Sequence, residues 1–213
     1  MNRAVWRLAA AVSVFAVTTL PAFAHHAMGG DTPTSLWEGL VTGVAHPVIG
    51  LDHLAFTAAV GLLVALAGAP LYAPLLFVAG TLAGCLLYLG GVAIPVTEWL
   101  IVLSVLGLGL AIAAGHRQVR PLELGLFAAA GLFHGMAYAE GIIGAETAPL
   151  LAYLVGFAAV QAAIAVGVAL AFRALWTSEK LALPARLAGA AVAGIGFTFA
   201  FEAVESLLLP AVA

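Results

Sequence analysis

From Val44 to Leu209 the chain is a succession of apolar runs, separated by short breaks that hold most of its turn residues and charges. As helices, runs of about twenty residues match a bilayer's hydrocarbon core, about 30 Å thick at about 1.5 Å per residue. With 64% hydrophobic and 8% charged residues and a mean hydropathy of +1.17, water cannot be the solvent for most of this surface. In lipid every backbone polar group must be satisfied internally, and this predicts an all-α polytopic bundle of about six transmembrane helices.

The breaks place spans near 44–68, 71–92, 96–115, 121–143, 148–172 and 187–209. Residues 1–24 read as a cleaved signal peptide, with Arg3 and Arg7 before an apolar stretch and Ala22-Phe23-Ala24 as the cleavage site. Residues 25–213 then form a single membrane domain. Segment Asp31 to Ala45 is expected as a short interfacial or re-entrant helix, with Trp37 at headgroup level. Irregular backbone around Pro47 and Gly50 is tolerable at depth only where it faces protein or a water-filled cavity. Gly80/Gly84 and Gly125/Gly131 are expected to let helix backbones approach closely.

Cationic residues orient the bundle. Outside the leader they fall in two connections, Arg117 and Arg120 in one and Arg173, Lys180 and Arg186 in the other. Both connections lie on one side if both mature termini lie on the other, and the positive-inside rule makes the cationic side cytoplasmic and the termini periplasmic in a bacterial inner membrane. The lone Cys85 excludes a disulfide framework, and the absence of a basic patch argues against nucleic acid as a partner. Oligomeric state is not legible.

Ionisable groups inside spans cost about 2.5–3.5 kcal/mol each on insertion scales, so each requires a partner or a purpose. They occur in three clusters: His46, Asp52 and His53 around Pro47 and Gly50 at the outer start of span one; His134 and Glu140 in span four; and Glu202 with Glu205 in span six. If these spans are neighbours, all three clusters lie in the outer half of the membrane. Imidazole nitrogen with carboxylate oxygen suits nickel, cobalt, zinc or iron better than calcium, magnesium or copper(I). The expected metal ligands are His46, Asp52, His53, His134, Glu140 and Glu202, ranked above Glu205. His25 and His26 form a periplasmic capture site if cleavage exposes them. Glu98 and Glu146 read as surface loop acids, Met136 as packing, and Gln161 as a support to a ligand or a bond across helices. Gly43-x-x-His46 with Asp52 and Gly131-x-x-His134 with Glu140 share one spacing, the pattern of an inverted repeat.

Nearly all of the mature chain is similar to the HupE/UreJ family of bacterial nickel and cobalt permeases. The likeness is carried by the leader, the number of spans, the H-P-x-x-G-x-D-H stretch from His46 to His53 and the F-H-G segment opening at Phe133. It implies metal handling by His46, Asp52, His53, His134 and Glu140, with nickel or cobalt as the transported ion and no permanent cofactor. The chain departs from better-known members where Met136 and Tyr138 follow the His-Gly pair, which makes Glu146 the alternative to Glu140. No P-loop, H-E-x-x-H or G-x-S-x-G motif is present, and no enzymatic activity is expected. The competing reading is a haem-binding electron-transfer subunit, with His53 and His134 as axial ligands.

Overall fold

The computed structural model describes residues 31–175 and 182–208. The leader with its cleavage site, His25, His26 and Lys180 lie outside the described residues. Within them the chain is all α-helical, as the apolar runs require: α1 Leu36–Ile49, α2 Leu51–Leu66, α3 Ala73–Leu89, α4 Thr97–Ala113, α5 Pro121–Glu140, α6 Thr147–Leu175 and α7 Ala182–Leu208. Helices α5, α6 and α7 are each long and apolar enough to cross a membrane, and α1 with α2 passes the same test as one broken span. At 17 residues each, α3 and α4 lie at the short end of what a bilayer accepts.

Before Gly50 the structure departs from the sequence expectation. Residues 36–49, rather than 31–45, form the helix, and it packs along α6, where an added Cβ on Gly39 or Gly43 would strike Pro149 or Tyr153. A capping box starts this helix, Ser35 Oγ accepting from the Glu38 N–H at 3.2 Å while Glu38 Oε2 accepts from the Ser35 N–H at 3.2 Å. Pro47 lies near the end of α1, and Gly50, with φ −67° and ψ 99°, breaks it. The chain bends by 77° there, and α2 continues along α6 to the Gly61–Ala165 crossing. The helices α1 and α2 thus form a broken span or a re-entrant loop that begins before the expected 44–68. The His46–His53 stretch is a break inside the bundle, level with Tyr153, and not its outer start.

Glycine crossings set the other neighbours. Helices α3 and α5 run parallel, with Gly80 and Gly84 against Ala128 and Leu132, and Gly131 against Phe77. Helices α4 and α7 run antiparallel, with Gly109 on Ala193 and Gly196 on Leu106. Gly125 meets nothing within 4 Å, so it is not one of the packing glycines. The α4–α7 pair leans on α2 and α5 along one seam, and both cavities described below open along it.

Arginines gather at one end of the bundle, where helix C-termini expose carbonyl groups. Arg186 Nε donates to Ala113 O, the last residue of α4, at 2.7 Å, and Arg173 donates to Val64 O in the last turn of α2 and to Ala69 O just beyond it. Arg117 and Arg120 lie between α4 and α5 at the same end. Among the described residues the opposite end carries acids and no Lys or Arg.

Candidate metal-handling site

The break at Gly50 brings two distant parts of the chain together. His53, in the first turn of α2, and His134, midway along α5, face each other with their Nδ1 atoms 2.7 Å apart. Gly50 is required by that ring rather than by its own φ, since an added Cβ would lie 2.7 Å from His53 Cδ2. Phe56 and Phe77 pack against His134, whose Nε2 lies 3.0 Å from Ser104 Oγ on α4. His46 stands next to the pair, its ring centre 6.2 Å from that of His53. Its Nδ1 lies 2.9 Å from the Tyr153 hydroxyl and its ring meets Tyr138 edge-on. Asp52 Oδ2 is 3.9 Å from His53 Nδ1. Asp52 lies in the first turn of α2, where a carboxylate suits the helix dipole.

A cavity of about 460 Å³ opens from this cluster toward the acidic end of the bundle. His46, Asp52, His53, Glu140 and Glu202 all line it, contributed by α1, α2, α5 and α7. His134 does not; it sits behind His53, fully buried, so it is a partner of a lining residue and not a lining residue itself. Glu146 and Glu205 lie outside the lining. Glu98, which reads as a loop acid, opens α4 and lines the cavity instead. The only signal for it was an acid at the N-terminus of an apolar run on the acidic side. Tyr138, Tyr153 and Ser104 were also missed, although a buried hydroxyl beside a membrane histidine is a natural hydrogen-bond partner. Met136 is buried with its sulfur 3.7 Å from Thr97 Oγ, whose proton goes to Ile94 O at 2.7 Å, while Gln161 is buried with neither amide atom hydrogen-bonded among the described residues.

A second cavity of about 500 Å³ lies on the other side of the histidine pair, between α2, α4 and α5. Its walls are mainly Leu, Phe, Ala and Gly; Ser104 lines it, as do His116 and Glu123 at the cationic end. His116 Nε2 is 3.2 Å from Glu123 Oε1 and 3.0 Å from Gln118 O. The chain His53–His134–Ser104 therefore separates a polar outer cavity from an apolar inner one.

Two imidazole nitrogens bound to one ion at about 2 Å keep their ring centres within about 6.5 Å. The 6.2 Å between His46 and His53 satisfies this limit, with Asp52 adjacent in the chain. Among the described residues no three His, Cys, Asp or Glu side chains already enclose an ion. The arrangement is thus two ring nitrogens at a carboxylate-lined cavity, with no closed cage.

A helical membrane bundle with imidazoles and carboxylates around a broken span has the form of an ion-handling membrane protein. The family described as HupE / UreJ protein matches residues 12–199, and the chain belongs to it. Among curated relatives the chain is similar to Protein HupE of Rhizobium leguminosarum bv. viciae, 32% identical over 187 residues that cover 86% of this chain and 93% of the relative. No solved structure matches. The family is associated with nickel and cobalt transport and is of transporter type, not an enzyme family.

Proposed function

We propose that the protein is a permease that takes up a divalent transition-metal ion, nickel or cobalt, across the bacterial inner membrane. The observation that carries this reading is the convergence of His46, Asp52, His53, Glu98, Glu140 and Glu202 on one cavity at the acidic end of the bundle. The positive-inside rule makes the arginine-bearing end cytoplasmic, so this cavity opens to the periplasm and both mature termini lie there. The carboxylates raise the local concentration of the hydrated dication. His46, Asp52 and His53 then replace part of its water, and His134 holds His53 from behind rather than binding the ion itself. His25 and His26, at the terminus left by cleavage, collect the ion beforehand.

An incomplete ligand set suits this role, because a transported ion must leave as readily as it enters. The membrane potential suffices as a driving force: two charges gain about 4.6 kcal/mol per 100 mV, about a thousandfold accumulation. Ligation requires neutral imidazole, so uptake falls once acid protonates the rings. A haem between His53 and His134 has no support, since axial nitrogens across an iron stand about 4 Å apart and these are 2.7 Å apart and hydrogen-bonded.

The test is uptake of radiolabelled nickel and cobalt by cells expressing wild type, His46→Ala, Asp52→Asn or His134→Ala, with membrane levels quantified. Wild type accumulates one or both metals and the variants do not. Normal transport by variants present in the membrane would remove these residues from the path.

A further inference from the structure

Among the described residues two hydroxyl groups reach the histidine ring nitrogens, and each has its single proton committed elsewhere. Tyr153 donates to Tyr138 O at 2.6 Å, and Ser104 donates to Ile101 O at 2.7 Å, the back-bond common for serine within a helix. Carbonyl oxygen has no proton to offer, so contacts this short place the proton on the hydroxyl. Both hydroxyl oxygens can then only accept from the imidazoles that reach them.

The consequence runs through the rings. His46 Nδ1, 2.9 Å from the Tyr153 oxygen, must carry hydrogen, and in a neutral ring its Nε2 then bears the lone pair. His134 Nε2, 3.0 Å from the Ser104 oxygen, must likewise carry hydrogen, which leaves its Nδ1 bare. Only one proton fits in the 2.7 Å gap between the two Nδ1 atoms, so it belongs to His53, and His53 Nε2 bears the lone pair. Both histidines that line the outer cavity are thereby in the same tautomer. Were Ser104 to donate to His134 instead, the chain would reverse and His53 Nε2 would be capped by hydrogen.

We propose that Ser104 and Tyr153 are positioning residues that lock His53 and His46 in the tautomer whose Nε2 carries no hydrogen, the form able to bind a metal ion. Their role as metal-ligand supports rests on the permease reading; the tautomer assignment does not. Ser104 acts through His134, so the buried histidine is a proton-holding link between serine and ligand. Donation from Nδ1–H also makes a bound imidazole more basic and fixes its ring, and loss of such a partner commonly costs 10–100-fold in metal affinity.

The experiment uses the full metal-free protein in lipid bilayers, labelled with ring-¹⁵N histidine, with nuclear magnetic resonance at pH 8 reporting which nitrogens carry hydrogen. Signals are assigned by single His→Gln variants. Wild type should show hydrogen on Nδ1 of His46 and His53 and on Nε2 of His134. Ser104→Ala should disturb the His53–His134 pair and leave His46 unchanged; Tyr153→Phe should do the reverse; Ser104→Thr, which keeps the hydroxyl, should retain the wild-type pattern. Cobalt titration of the same samples should show affinity 10–100-fold weaker for Ser104→Ala and Tyr153→Phe and restored for Ser104→Thr. Hydrogen on Nε2 of His53 in wild type, or a Ser104→Ala pattern identical to wild type, overturns the assignment. Unchanged cobalt affinity in both hydroxyl-deleted variants overturns the support role. Wild type with the expected tautomers but no nickel or cobalt uptake would sink the permease reading alone.

Discussion

The two cavities flanking the histidine pair are nearly equal in size, about 460 and about 500 Å³, yet opposite in character. The outer one gathers His46, Asp52, His53, Glu98, Glu140 and Glu202 from five helices, whereas the inner one is walled by leucines, phenylalanines and alanines until His116 and Glu123 at its far end. Volume alone therefore does not mark a path for an ion. A dication gives up water only where oxygen or nitrogen replaces it, and an apolar wall offers neither. Under the permease reading this conformation faces outward, and the apolar inner cavity is the barrier. Ser104–His134 is a polar contact across the seam beside the α4–α7 pair, at the level where the two cavities meet.

The sharpest way to break this contrast is to alter both sides equally gently. His53→Gln or Asp52→Asn should lower uptake by more than about 100-fold, beyond the usual effect of losing a ligand's support. Phe127→Leu in the inner wall should leave it within about threefold, because an apolar swap there removes no ligand. Comparable losses from both would mean that the inner cavity also handles the ion.

A second contrast lies along α4. Gly109 packs on Ala193, so Gly109→Ala should destabilise the bundle by about 1–3 kcal/mol. Gly107 lines the inner cavity with nothing within 4 Å, and Gly107→Ala should be neutral or stabilising by up to about 1 kcal/mol. Thermal melts in detergent compare the two, and equal destabilisation would show that the inner cavity is closed.

Smaller effects separate electrostatic collection from ligation. Glu98→Gln should raise the half-saturating metal concentration by about tenfold with little change in maximal rate, and added salt should shrink the difference. A collapse in maximal rate would make Glu98 a ligand. The smallest change is expected from Glu123→Gln at the inner mouth, less than about threefold in uptake, since its pairing with His116 is open to solvent. A larger loss would identify that pair as a station on the way out.

Much of this was legible beforehand because lipid makes each charge costly enough to require a reason. That logic singled out His46, Asp52, His53, His134, Glu140 and Glu202, and five of the six line one cavity while the sixth backs it. It failed for Glu98, because an acid near a helix end costs little and carries no such alarm. Facing was also hidden: in spans that are apolar all round, Gly125 and Gly131 look alike, though one meets open space and the other Phe77. The helical extent of residues 36–49 escaped for a related reason, since Pro47 marks a break and the chain actually turns at Gly50.

What the amino-acid order determined by itself was the solvent, the helical class, the sidedness of charge and the residues too costly to be idle. These follow from the transfer free energy of individual groups, which is local. Only the tertiary structure decided that His53 meets His134, that Glu98 joins the cavity and that two hydroxyl protons are committed to carbonyls. Those depend on which helices cross at which glycines, and crossings are set by pairwise packing that no single span encodes.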